Sequence, residues 1–209
     1  TLFASKTAVK LLPTRSYPGD VVVAATPHQI CAALEPLAGA PLIGFDTETR
    51  PEFRPGRPQN PTALIQLATA DYACLLRLRV SGRWTCARMD RPTDRLPPPL
   101  VRLLEDPEVL KAGVGVGEDL RKLGSEHKGL KPAGALDLER VTKSLPQGVG
   151  TVNLQALVAV FLHFQLHKTK SVQCSNWEAP RYTERQLNYA ATDAWVGYLL
   201  HERIVQLLP

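Results

Sequence analysis

The sequence predicts an α/β fold, a mixed β-sheet flanked by helices. Three observations carry that expectation. Short apolar runs at Asp20–Ala25, Leu42–Thr49, Ala63–Thr69 and Tyr72–Leu78 read as strands separated by turn residues. From Leu42 onward the order reads β-β-β-α-β-α. Helix-start chemistry stands where that order needs it, as Thr26-Pro27 and as Thr183-Glu184-Arg185-Gln186.

At 209 residues, 44% hydrophobic and 22% charged, the chain suits one well-packed domain rather than two. A net charge of +5 fits a polyanionic partner without requiring one. Cys31, Cys74, Cys86 and Cys174 are scattered with no C-x-x-C pair. That argues against a zinc site and against a disulfide framework, and for reduced thiols in an intracellular compartment. Nucleus, cytoplasm and organelle are not distinguished. No apolar stretch reaches about 18 residues, so no membrane span is expected.

Each element follows from local chemistry. Thr1–Gly19 carries Lys6, Lys10 and Arg15, with Pro13 and Pro18 breaking any long element, and reads as a basic N-terminal arm. The domain proper is expected over residues 20–209. Asp20–Ala25 is a short buried strand. The helix opened by Thr26-Pro27 runs through Ile30, Leu34 and Leu37 and ends near Gly39. After strand Leu42–Thr49 comes the Pro/Arg-rich loop Arg50–Pro61, then a hairpin-like strand pair joined at Ala70-Asp71. Residues 79–99 break the pattern as an inserted Arg/Pro-rich loop holding Arg79, Arg83, Arg88, Arg91, Arg95 and Trp84. Either it touches phosphates and stacks a base on Trp84, or it is a solvated surface loop.

Pro99–Glu105 reads as a short helix and Val109–Val116 as a buried strand, after which Gly117-Glu118-Asp119 turns into a helix carrying Leu120 and Leu123. Gly113, Gly115 and Gly117 lack the dinucleotide-binding spacing and are read as letting strand and helix approach closely. Ala135–Leu138 is a short, edge-type strand. Asn153–Phe164 is a mostly apolar helix capped by Thr151 or Asn153. His163 and His167 are spaced i, i+4, but no glutamate accompanies them, so they are ordinary histidines rather than ligands. The terminal helix runs from the Thr183 cap through Leu187, Tyr189, Asp193, Val196, Leu200 and Ile204.

The chemistry concentrates in Asp46-Thr47-Glu48. On a strand, Asp46 and Glu48 share a face at its C-terminal end. Two close carboxylates repel, and a divalent cation removes that cost. Taken alone the pair is as well explained by a solvated strand end. Asp119 at a helix start and Tyr189 with Asp193 one turn apart on the last helix tip the reading towards a metal site.

Four stretches then carry a resemblance: Phe45-Asp46-Thr47-Glu48 with Ala63-Leu64-Ile65-Gln66-Leu67; Lys111 to Asp119; Lys170 to Trp177; and Leu187-Asn188-Tyr189-Ala190-Ala191-Thr192-Asp193-Ala194. In that order they resemble the DEDD superfamily of 3′–5′ exonucleases, in its tyrosine subclass, across Val21 to Val205. The resemblance implies a ribonuclease-H-like fold and hydrolysis of phosphodiester bonds from the 3′ end of DNA or RNA, releasing nucleoside monophosphates. It implies two cations, Mg²⁺ or Mn²⁺, held by Asp46, Glu48, Asp119 and Asp193, with Tyr189 orienting the attacking water. Expected substrate contacts are Thr47, Trp177, Lys168 and Lys170, the last three being equally open to structural roles. The partner is nucleic acid, single-stranded or with a 3′ overhang; DNA or RNA, and the oligomeric state, stay open. The alternative is a catalytically weak nucleic-acid-binding adaptor of the same fold, which the complete acid set disfavours.

Overall fold

The computed structural model describes residues 6–86, 96–145, 153–167 and 170–207. A six-stranded sheet forms the middle layer. Its strands are β1 (Val21–Ala24), β2 (Leu42–Thr49), β3 (Thr62–Ala68), β4 (Ala73–Arg77), β5 (Leu110–Gly113) and β6 (Ala135–Asp137). Across the sheet they stand β1-β4-β3-β2-β5-β6. β3 is antiparallel to β2 and β4; β1 is parallel to β4, and β5 is parallel to β2 and β6. One strand therefore runs against the other five, which is the mixed sheet the sequence predicts.

Among the helices are α1 (Pro27–Leu34), α2 (Pro98–Glu105), α3 (Val116–Glu126), α4 (Leu138–Lys143), α5 (Leu154–Leu157) and α6 (Glu184–Val205). Capping boxes open α1 at Thr26 with Gln29 and α6 at Thr183 with Gln186. The pleat sorts the strand side chains into two layers. Ile43, Phe45, Ile65 and Leu67 pack with Ile30 and Leu34 of α1, Leu100 and Leu104 of α2, and Leu120 and Leu123 of α3. On the other face Ala68 and Ala73 pack with Leu138, Leu157 and the α6 residues Ala191, Ala194, Val196 and Leu200. Each fully buried leucine contributes about 1.5–3 kcal/mol by leaving water.

α6 lies directly on the backbone of β2 and β5. A Cβ on Gly44 would stand 1.8 Å from the carbonyl oxygen of Ala194. A Cβ on Gly197 would stand 2.5 Å from that of Ala112. These two glycines set the height of the terminal helix above the sheet.

Several local expectations change. β1 is an edge strand, and Val22 and Val23 are each 38% exposed rather than buried, because neighbours cover the strand on one side only. β5 ends at Gly113, and the helix starts at Val116. Gly115, at φ +81°, turns the chain earlier than the apolar run suggested. Gly113 does allow a close approach, since its Cβ would meet the Phe45 carbonyl at 2.4 Å, whereas Gly117 faces open space. The expected helix Asn153–Phe164 is Asn153-capped α5 followed by a π-helical turn, Val158–Leu162. It stops at His163, whose φ of +56° is left-handed, so Phe164 lies outside it. Thr151 lies outside the described residues.

The start of the 79–99 segment is neither a loose loop nor a base-stacking platform. Arg79–Val80 and Arg83–Trp84 form a hairpin around Ser81 and Gly82, both at positive φ. Buried Glu178 accepts from Arg79 Nε at 2.9 Å and from Gly82 N at 2.8 Å. The Arg79 guanidinium sits 4.8 Å from the centre of the Trp84 ring, which packs edge-on against His127. Residues 87–95, with Arg88, Arg91 and Arg95, lie outside the described residues.

The basic arm does not stand apart from the rest of the chain. Thr14–Arg15 pairs in parallel with Gln165–Leu166. Tyr17 is buried edge-on against Trp195, and its N–H donates to Thr192 Oγ1 at 3.0 Å. Cys31, Cys74, Cys86 and Cys174 are all free thiols. Among the described residues no helix is long and apolar enough to cross a membrane.

Candidate active site

β2 presents Asp46 and Glu48 to the layer that holds α6, opposite Gln66 and Leu64 of β3. α6 answers with Tyr189 and Asp193, 8% and 4% exposed. These four side chains and Thr47 line one cavity of about 220 Å³, closed by Gly113, Leu154 and Gln173. Spacings of two on the strand and four on the helix thus converge where the two elements cross.

The electrostatics follows from this convergence. The Tyr189 phenol is pushed far above its ordinary pKa, first by burial, then by the negative charges of Asp193, Glu48 and Asp46. All three carboxylates therefore act on one hydroxyl, which stays neutral throughout the working range of a protein. Its ring leans on Trp177, centroids 5.9 Å apart, and Trp177 packs edge-on against Tyr182.

Asp119 is reached from the other face of β2. Thr47 Oγ1 donates to Asp119 Oδ1 at 2.7 Å, and Thr47 N donates to Asp46 Oδ1 at 2.9 Å. Thr47, expected as a substrate contact, lines the cavity with its hydroxyl already given to Asp119. Burial raises the Asp119 carboxyl to about 6, against the opposing Thr47 bond and the charge of Lys122.

That shift has a stability consequence. The folded chain holds the Asp119 proton up to about pH 6, whereas an exposed aspartate loses it near 3.8. Between those values the folded state binds more protons than the unfolded state, so stability falls as pH rises through the window. The cost is absent well below the lower value and complete above the upper one. Asp119→Asn is expected to stabilise metal-free protein by about 1–2 kcal/mol at pH 7.5, discounted for partial exposure, and by about half that at pH 5. Thermal unfolding in chelator at both pH values measures this. A variant less stable than the parent at pH 7.5 would show that the Thr47 bond outweighs the burial.

Trp177 corrects the sequence reading. It is 0% exposed and donates Nε1–H to the Gln173 carbonyl at 3.2 Å. It has no surface to offer a substrate and instead backs Tyr189. Lys170 is exposed at the start of the short helix Lys170–Gln173 and does not line the cavity. Lys168 lies outside the described residues.

Sequence reasoning passed over Gln66. It is fully buried opposite Asp46, and neither its Oε1 nor its Nε2 has a hydrogen-bond partner. The signal was a lone amide in the otherwise apolar run Ala63–Ala68.

The donor set is all oxygen: carboxylates of Asp46, Glu48 and Asp193 at the cavity, with Asp119 joined through Thr47. This chemistry suits hard divalent cations. As the side chains stand, no three acidic, histidine or cysteine groups among the described residues are close enough together to hold one ion.

A mixed sheet of six strands between helix layers defines the ribonuclease-H-like fold. The chain belongs to the 3′–5′ exonuclease family, whose model matches residues 21–209. It is 31% identical over 201 residues to the bifunctional 3′–5′ exonuclease/ATP-dependent helicase WRN of Mus musculus, covering 94% of this chain and 13% of that protein. It is 34% identical over 167 residues to exonuclease 3′–5′ domain-containing protein 2 of Mus musculus, covering 77% of this chain and 23% of that one. The chain therefore spans less than a quarter of either relative. The crystal structure of the catalytic core of RRP6 from Trypanosoma brucei shares the fold, with a TM-score of 0.72 at 21% identity over 99% of this chain and 53% of that one. The Aedes aegypti Nibbler EXO domain does so at 0.68 and 23% identity, over 93% of each chain.

Proposed function

We propose that this chain removes nucleoside monophosphates from the 3′ end of single-stranded or 3′-overhanging DNA or RNA with two divalent cations, Mg²⁺ or Mn²⁺. The observation that carries the reading is the joint action of Asp46, Glu48 and Asp193 on the Tyr189 hydroxyl at one cavity.

Asp46, Glu48, Asp119 and Asp193 would hold the cations. When bound, the cations supply charge neutralisation at the phosphate and acidify water. The chain's own groups do the rest. Tyr189, neutral and backed by Trp177, exchanges hydrogen bonds with the attacking water and sets its approach. Thr47 holds Asp119 and, through its N–H, Asp46, so one residue orients acids from two elements. An unpaired 3′ terminus is the expected substrate, since the terminal phosphate must reach acids recessed between β2 and α6.

The test uses 5′-labelled single-stranded DNA, single-stranded RNA and recessed duplex of matched sequence. Stepwise shortening from the 3′ end is expected in Mg²⁺ or Mn²⁺ and none in EDTA. Binding without shortening in either metal overturns the hydrolytic reading and leaves an adaptor.

A further inference from the structure

A second cavity, also about 220 Å³, lies between the N-terminal segment and α6. Arg15, Ser16, His167, Arg185 and Asn188 supply its polar wall, and it shares Tyr189 and Asp193 with the acid-lined cavity. The two spaces are therefore neighbours with those two side chains between them, one acidic and one basic.

The basic wall is built rather than draped. Gln165 N donates to the Pro13 carbonyl at 2.9 Å and Gln165 Nε2 to that of Leu12 at 2.7 Å, around the Thr14–Arg15 strand pair. Arg15 is carried above the Phe164 ring, 5.9 Å from its centre. Tyr17 N donates to Thr192 Oγ1, which donates to Asn188 Oδ1 at 3.1 Å. The segment is thus tied to the helical turn that holds Tyr189 and Asp193. Arg15, His167 and Arg185 take part in none of the ion pairs among the described residues.

We propose that this cavity is a phosphate subsite, taking the backbone phosphate one nucleotide to the 5′ side of the scissile bond. Guanidinium groups present planar paired donors that match phosphate oxygens. A single strand whose terminal phosphate meets the acids carries its next phosphate into the space adjoining them, and the two cavities adjoin through Tyr189 and Asp193. The inference deepens the exonuclease reading and rests on it for the direction of the strand. It also gives residues 14–17 a function that the family-matched region, which starts at residue 21, does not include.

The probe is a 5′-fluorescein deoxythymidine decamer, titrated in EDTA by anisotropy at several salt concentrations against wild-type protein and Arg15→Gln/Arg185→Gln. The double variant is expected to bind about a hundredfold more weakly, tenfold per arginine, with a log–log salt slope shallower by about 1.4. Arg185→Gln alone, on an exposed helix face, carries half of each effect and keeps the test should Arg15→Gln disturb the strand pair. With metal, kcat/KM of the double variant is expected to fall further on the decamer than on the p-nitrophenyl ester of thymidine 5′-monophosphate, which has no second phosphate. Equal affinity and salt slope in variant and parent, or equal losses on both substrates, overturn the subsite. A parent that binds the decamer with the expected slope but cleaves neither substrate sinks the exonuclease reading instead, while the anion site stands on its binding data.

Discussion

Asp46→Ala combined with Glu48→Ala is expected to lower 3′-terminal nucleotide release by about a thousandfold or more. Both side chains leave β2 on the face under α6 and share a cavity with Tyr189 and Asp193. Without them the cavity keeps one carboxylate of its own, Asp193, and the Tyr189 phenol. Asp193 and Asp119, one carboxylate from each of two helices, do not hold a pair of hard cations against water without the two strand acids. The loss should fall on turnover and metal requirement together, because the acids serve the reacting phosphate and not the rest of the strand. The fold should survive, since removing like charges around a buried phenol relieves repulsion. A labelled oligonucleotide ladder, read beside circular dichroism and thermal unfolding, separates the two effects. Folded double variant retaining more than a tenth of parental activity would remove these acids from the chemistry.

What the sequence disclosed and what it withheld divide along a physical line. Features set by neighbours along the chain were legible. The period-two placement of Asp46 and Glu48, the four-residue spacing of Tyr189 and Asp193, and the Thr183 capping box need only local geometry. Features set by what crosses overhead were not. Nothing near Trp177 in sequence says that Tyr182 and Tyr189 enclose it, and a tryptophan among lysines reads equally well as a nucleotide contact. Arg15 looked like part of a detached basic arm because Gln165 and Leu166, which pair with its strand, stand 150 residues away. The helix start at Val116 was missed because nothing local tells a left-handed Gly115 from a glycine inside a strand. Gln66 was visible but unread: an amide in a fully buried strand is a standing cost, and such a cost marks a place to look for function.

Gly44 is the position where fold and site meet most tightly, and Gly44→Val is expected to cost about 3 kcal/mol or more. Even the first carbon of any side chain there would lie 1.8 Å from the Ala194 carbonyl oxygen and 2.8 Å from the Tyr198 nitrogen. Those are backbone atoms inside the long helix α6, so no rotamer change makes room. Relief requires α6 to rise from β2, and Ala194 is the residue after Asp193. Lifting the helix therefore draws Asp193 and Tyr189 away from Asp46 and Glu48 while opening the Ala191 and Val196 layer to water. For a chain of this size the expected fall in Tm is about 6–12 °C, with loss of activity in whatever remains folded. Gly117→Ala is the matched control, because a Cβ there meets nothing within 4 Å and the helix gains by the exchange, about 0.5–1 kcal/mol. If both substitutions left Tm within a degree or two of the parent, α6 could not be resting on the β2 backbone. The distance between the carboxylates of the strand and those of the helix would then be set by something other than a missing side chain.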